Sequence, residues 1–155
     1  MKNFILFCVV ASIVLTGCNS QSTKKSVPSH DEMMAKASRS EKNGWIMIHL
    51  EGSPYEVGYQ HGYLLAAEII DLRSALQTIN EQATGKNPEF FREESYRLLW
   101  PGVPEEYRNE ISGIAAGVNA KLGSETIGVK DLVAMNSSLL MTDLGNTHII
   151  SSIYI

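Results

Sequence analysis

Two glycines in an otherwise helical segment constrain the fold of this chain most strongly. Gly58 and Gly62 lie four residues apart, so they occupy one face of a helix. Each glycine costs a helix about 1 kcal/mol relative to alanine, and this cost is tolerated where a neighbouring backbone must approach closely. We therefore predict that this face packs tightly against another helix or against a sheet.

The helix that carries these glycines has two independent start signals. Ser53 and Glu56 form a capping-box pattern, and Pro54 falls at the first helical position, where proline is favoured. An apolar stripe that includes Ile69, Leu72 and Ile79, and that we expect to face the core, continues to about residue 83. Gly85 is a typical C-terminal cap. We predict one long helix over residues 54–83.

Further helices and two strands are predicted by similar signals. Helices are expected after Asn87, from about residue 104 to Gly123, and over about residues 129–140. Residues 45–50 are apolar on both faces, which is typical of a strand buried on both sides. Residues 149–155 also read as a strand. Two such strands cannot make a stable sheet by themselves, so the predicted class is an incomplete α/β fold whose sheet-forming half is missing.

The first 18 residues read as an export signal. Lys2 precedes an apolar run at residues 4–16, which is shorter than the ~20 residues of a spanning helix and typical of a secretory signal. The sequence LTGC at residues 15–18 resembles a bacterial lipobox, which implies cleavage before Cys18 and lipidation of its thiol. The alternative is an ordinary signal peptide with a chance cysteine.

These features give three segments and a location. Residues 1–17 are the predicted signal peptide, residues 18–43 a flexible polar tether, and residues 44–155 the folded domain. We expect the mature chain in the bacterial cell envelope, held to a membrane through Cys18. Asn19 is compatible with sorting to the outer membrane.

Composition excludes several functions. The formal net charge is -4 and there is no basic stripe, which argues against a nucleic-acid partner. Cys8 and Cys18 are the two cysteines, so the mature chain has neither a disulfide nor a free thiol nucleophile. The four histidines lack the spacing of metal ligands, and we predict no metal and no cofactor.

Three segments together resemble one known family. The sequence GSPYEVGYQHG at residues 52–62 has the pattern Gly-x-Pro-x-Glu-x-Gly-x-x-x-Gly, and residues 110–117 and 131–136 follow in the expected order. They resemble the N-terminal part of the isopenicillin-N acyltransferase-like family of cysteine-type N-terminal-nucleophile hydrolases. The matching positions, to which we assign mainly structural roles, are Gly52, Pro54, Glu56, Gly58, His61, Gly62, Gly113, Gly117 and Asn136.

This resemblance implies an αββα sandwich and an autoproteolytic enzyme. In such a proenzyme the chain cuts itself before an internal cysteine, which then leads a second subunit. The cysteine thiolate attacks an amide carbonyl, its own α-amino group acts as the base, and the acyl group passes to water or an amine.

The sequence departs from this pattern because no cysteine follows Asn136. Ser137, Ser138, Ser151 and Ser152 have no context that supports them as nucleophiles, so we assign no catalytic residue. The leading hypothesis is a truncated gene product, inactive alone. One alternative is a separate subunit completed by a cysteine-led polypeptide, and another is a small helical lipoprotein that binds without catalysis.

Overall fold

The computed structural model describes residues 28–138 of the chain. Its elements in chain order are α1 (His30–Met34), β1 (Ser38–Lys42), β2 (Trp45–His49), α2 (Pro54–Leu64), α3 (Ala66–Thr84), α4 (Pro88–Leu99), a 3-10 turn (Trp100–Gly102), α5 (Glu105–Leu122) and α6 (Val129–Asn136).

The predicted α/β class, as part of an αββα sandwich, is wrong for this part of the chain. Residues 28–138 form six helices and a single sheet of two antiparallel strands. β2 does lie where a strand was predicted, but its apolar side chains are largely exposed instead of buried between layers. The strand predicted at residues 149–155, the signal peptide and Cys18 lie outside the described residues.

β1 and β2 form a hairpin, and β1 comes from the segment that we predicted to be a tether. The connecting residues Asn43 and Gly44 have φ values of 52° and 81°, as a two-residue hairpin turn with a right-handed strand twist requires. Lys42 lies opposite Trp45 at the turn. The sequence of β1 is entirely polar, so it lacks the apolar alternation that identifies a strand.

The predicted helix ends are mostly confirmed. Pro54 opens α2, and the Glu56 carboxylate accepts hydrogen bonds from the amide (2.8 Å) and hydroxyl (2.5 Å) of Ser53. Gly85 and Gly123 close α3 and α5 in the left-handed conformation, each with a φ of 68°. The helix predicted over residues 54–83 is instead two helices, because the backbone departs from helical geometry at Leu65.

The glycine face of α2 packs against the backbone of α5. A Cβ atom built on Gly58 would lie 2.0 Å from the carbonyl oxygen of Glu110, and one built on Gly62 would lie 2.1 Å from that of Ile114. Both contacts advance by four residues in the same direction, so the two helices run parallel. The predicted tight packing is therefore confirmed, and its partner is a helix.

The contact is reciprocal, because α5 brings two glycines of its own. A Cβ on Gly113 would lie 2.2 Å from the carbonyl oxygen of Tyr55, and one on Gly117 would lie 2.1 Å from that of Tyr59. Such small residues spaced four apart on facing helices let the two backbones touch. Both helices therefore need glycine at the positions where their backbones touch, which explains the two glycines of α2.

The apolar core lies where α3, α5 and α6 meet. Its buried members are Ala66, Ile69, Ala115, Val118, Ile127 and Leu132. The apolar stripe predicted for α3 is only partly buried, since Ile69 lies in the core while Leu72 and Ile79 are about half exposed. Within residues 28–138, no helix has the length and apolar character needed to cross a bilayer.

Candidate functional site

An open groove of about 450 Å³ lies along α2, α3, α5 and α6. Its lining combines a mainly apolar wall with three polar side chains. The apolar members are Ile69, Leu72, Tyr107, Ile111, Ile114, Leu132 and Met135, and the polar members are His61, Glu110 and Asn136.

The His61 imidazole is held at the junction of α2 and α5. It precedes Gly62, which touches the α5 backbone. The negative charge of the Glu110 carboxylate on α5 acts on the imidazole electrostatically. Burial lowers the pKa of His61 below 6.5, and the nearby negative charge of Glu110 only partly opposes this effect. The ring is therefore neutral at neutral pH, so that one nitrogen donates a hydrogen bond and the other accepts one.

Asn136 brings an amide group to the same groove from the last turn of α6. Its Nδ2 donates a 2.8 Å hydrogen bond to the carbonyl oxygen of Leu132, which holds the side chain along its own helix. Among the described residues its Oδ1 accepts no hydrogen bond. An amide placed in this way can bind the polar end of a ligand whose apolar part lies on the groove wall.

Gln60 fixes α2 relative to its neighbours. Its side chain is 1% exposed. Its Nε2 donates to the carbonyl oxygens of Met33 (2.6 Å) and Glu51 (2.9 Å), and its Oε1 accepts from the Glu51 amide (2.9 Å). This residue was not predicted from the sequence, because a glutamine beside the glycine motif carries no distinct signal of its own.

Asn119 has the equivalent role for α6. Its Oδ1 accepts from the amides of Thr126 (2.8 Å) and Ile127 (3.1 Å), and its Nδ2 donates to the carbonyl oxygen of Ile127 (2.8 Å). These bonds fix the loop between α5 and α6. That loop leads into α6, the helix that carries Asn136.

The remaining residues of the family pattern serve the scaffold. Gly52 has a φ of 149°, and a Cβ there would lie 2.9 Å from the Cβ of Glu56. Pro54 and Glu56 start α2, while Gly113 and Gly117 belong to the helix contact. The structure thus brings His61 and Asn136 to the groove and places the others beneath or beside it. Cys18, the predicted lipid attachment site, lies outside the described residues.

The two described serines that follow Asn136 take part in buried hydrogen bonds between helices. The hydroxyl of Ser137 donates to Ser95 Oγ (2.8 Å), and that of Ser138 donates to Asn80 Oδ1 (2.8 Å). All four side chains are buried, and none of them lines the groove. Residues 28–138 also contain no group of three His, Cys, Asp or Glu side chains arranged to hold a metal ion.

Comparison with known proteins gives one distant similarity. An uncharacterized protein from Archaeoglobus fulgidus is 30% identical over 112 residues, which cover 61% of this chain but only 16% of that relative. No family model matches the chain. No solved structure matches it either. The chain thus spans a small part of the length of this relative.

Proposed function

We propose that this chain is the N-terminal, lipid-anchored part of an amidohydrolase or acyltransferase that resembles the isopenicillin-N acyltransferase-like family, and that it is inactive by itself. Its role would be to provide one wall of the substrate site. The groove would bind the acyl group of an amide, and the nucleophile would come from another polypeptide or from sequence beyond Ile155.

One observation carries this proposal. The three segments that resemble the family are separated by 47 and 13 residues of sequence, yet each contributes a polar side chain to the same groove: His61 from the first, Glu110 from the second and Asn136 from the third. A chance resemblance in three unrelated surface segments would not be expected to converge in this way. The convergence supports a shared role for the three segments.

The reaction implied by the resemblance is acyl transfer through a thioester. A cysteine thiolate adds to the amide carbonyl, the carbon–nitrogen bond breaks, and the amine leaves with a proton supplied by the base. Water or a second amine then attacks the thioester and releases the thiol. In this scheme the apolar wall holds the acyl chain, while the neutral His61 ring and the Asn136 amide hydrogen-bond to the polar atoms near the scissile bond.

This chain has no cysteine after Cys18 that could be the nucleophile for this reaction. Its two cysteines are Cys8 and Cys18, and both precede the described residues 28–138. The relative from Archaeoglobus fulgidus, of which the chain covers 16%, is consistent with a longer functional unit. A second candidate, a lipoprotein that binds amphipathic ligands without catalysis, is favoured by this lack of a nucleophile together with the open apolar groove.

Ligand binding to the groove can be measured by methyl NMR. In a chain that begins at Asn19, Met135 lies in the groove and Met33 is buried against α2, away from it. Addition of N-octanoylglycinamide, a neutral acyl amide, should shift the methyl signal of Met135 and leave that of Met33 unchanged. Equal shifts at both, or none at Met135, would contradict the proposed role of the groove.

A matched pair of variants locates the site. Leu72 lines the groove and is 52% exposed, whereas Leu98 on α4 is 40% exposed and lies outside it. Leu72→Glu should weaken binding by about tenfold or more, because a carboxylate in an apolar wall is costly to desolvate. Leu98→Glu should leave the affinity unchanged. Equal effects of the two variants would indicate non-specific binding to apolar surface.

A further inference from the structure

The register of the hairpin assigns its side chains to two faces. Residues directly opposite each other in an antiparallel pair point to the same side, and successive residues alternate. We call the side that includes Trp45 the outer face. Its members are Ser38, Ser40, Lys42, Trp45, Met47 and His49, all of them exposed.

The opposite face attaches the hairpin to the helices. Arg39 on this face donates to the carbonyl oxygen of Leu64 (2.8 Å) and pairs with the Glu68 carboxylate (2.7 Å). Ile48, its cross-strand neighbour, is half-buried. Because these contacts turn one face toward α2 and α3, the outer face points away from the body of the domain.

The outer face combines apolar groups with the ammonium of Lys42 at the turn, and none of its six members is acidic. At its other end the Glu51 carboxylate lies 3.9 Å from Nε2 of His49. Trp45 is 75% exposed and Met47 49% exposed. Lys42 lies beside Trp45 across the turn, and no carboxylate of the described residues is within salt-bridge distance of it. In an acidic chain of net charge -4, the turn end of this face, where Lys42 lies beside Trp45, is a local exception to the overall charge.

We propose that the outer face of the hairpin lies on an anionic lipid surface. Tryptophan is enriched at the interface between lipid and water, and lysines near an anionic bilayer are attracted to its negative surface. The inference rests on the lipid anchoring at Cys18 that is part of the proposed function. The hairpin would be a second contact of the same chain with that membrane.

The chain length between the anchor and the domain fits this arrangement. The ten Cα–Cα steps from Cys18 to Pro28 span at most about 35 Å, and the nine residues between them include Lys24 and Lys25, which the same surface would attract. A protein partner is less well matched, because a standard interface uses roughly 20–30 residues on each side. The outer face offers six side chains.

The test uses the one cysteine that a chain starting at Cys18 contains. Its thiol is coupled to a maleimide phospholipid in vesicles, so the anchor is chemical and does not depend on lipidation in the cell. In a Trp100→Phe background the emission reports Trp45 alone. On vesicles of phosphatidylcholine with phosphatidylglycerol, we expect this emission to shift to the blue and to be quenched severalfold by brominated acyl chains.

Two controls define the result. In a Trp45→Phe background, Trp100 should keep its emission and resist the quencher. Lys42→Glu should reduce quenching of Trp45 on anionic vesicles, while Lys86→Glu, at the far end of α3, should not. Solvent-like emission from Trp45 in the tethered chain would overturn the proposal, whatever the fate of Cys18 in the cell. A blue shift that grows with protein density without lipid quenching would also overturn it, because it would indicate pairing with a second copy.

Discussion

Replacement of Gly62 by alanine should separate α2 from α5. The new Cβ would lie 2.1 Å from the carbonyl oxygen of Ile114, whereas Cβ atoms essentially never come within 3.0 Å of another heavy atom. The helices must therefore move apart by about 1 Å, since a backbone carbonyl cannot rotate away as a side chain can. A gap of this size forfeits roughly a quarter to a half of each van der Waals contact along the interface.

The size of the effect follows from two opposing terms. Overpacking costs typically 1–3 kcal/mol, and the upper end applies here because backbone meets backbone. Alanine recovers about 1 kcal/mol of helix propensity relative to glycine. The net expectation for Gly62→Ala is a loss of about 2 kcal/mol of unfolding free energy, which corresponds to a fall in Tm on the order of 10 °C for a domain of this size.

Urea unfolding followed by circular dichroism would measure this loss, with Gly102→Ala as the matched control. A Cβ at Gly102 would meet no heavy atom within 4 Å, so that variant should be neutral or slightly stabilising. If Gly62→Ala were as stable as the parent, or more stable, the tight packing of α2 on α5 would be refuted. The double variant with Gly117→Ala should cost less than the sum of the two single changes, because the first already opens the interface.

Three other residues give sharp expectations. Because burial lowers the pKa of His61 below 6.5, the unfolded state binds a proton at this site at higher pH than the folded state does. The free energy of unfolding should therefore fall as the pH drops below about 6.5. His61→Gln should remove this part of the pH dependence, as measured by urea titrations at several pH values. Gln60→Leu should cost about 3 kcal/mol, because it leaves the buried carbonyl of Met33 and the part-buried amide and carbonyl of Glu51 without their partner. Hydrogen exchange should show the loss as faster exchange in α1, and unchanged exchange there would contradict the role of Gln60. Asn119→Ala should lower the free energy of unfolding by roughly 2 kcal/mol, because it removes three hydrogen bonds to the loop between α5 and α6. The NMR chemical shifts of α6 should change as well. Shift changes confined to the loop would contradict a role of Asn119 in positioning that helix.

The helix boundaries could be predicted from the sequence because capping is a local property. Pro54, Asn87, Gly85 and Gly123 act through the conformation of their own backbone or through a bond to a residue three positions away. The glycine spacing also predicted a close backbone contact. Which element makes that contact depends on the tertiary fold, and the second glycine pair in α5 is informative only once the two helices are seen side by side.

The errors have equally specific causes. β1 is a strand because it pairs with β2, and its polar sequence gave no sign of this. The break at Leu65 involves neither proline nor glycine, so it could not be distinguished from a continuous apolar stripe. Strand β2 was predicted to be buried because its residues are apolar, but burial also requires neighbouring layers, and within residues 28–138 the structure provides only β1.

The candidate site was predictable only in part. His61 and Asn136 were identified through the family resemblance, and Glu110 lies in the second segment of that resemblance. The wall of the groove was not predicted, because Leu72 and Ile111 belong to stripes that the sequence assigns to the core. Their partial exposure reflects a face of α3 and α5 that no other described element covers.

The sequence of the gene beyond the codon for Ile155 tests the central claim most directly. If this chain provides one wall of an amidohydrolase or acyltransferase site, a reading frame that supplies a cysteine-led polypeptide should follow, in the same frame, a shifted frame or a separate one. The product of the joined sequence should then release the amine from N-octanoylglycinamide and lose this activity on alkylation of its thiol. If the downstream DNA encodes no such cysteine and no cysteine-led polypeptide co-purifies with the chain, the enzymatic proposal fails, and a ligand-binding lipoprotein becomes the better explanation of the groove.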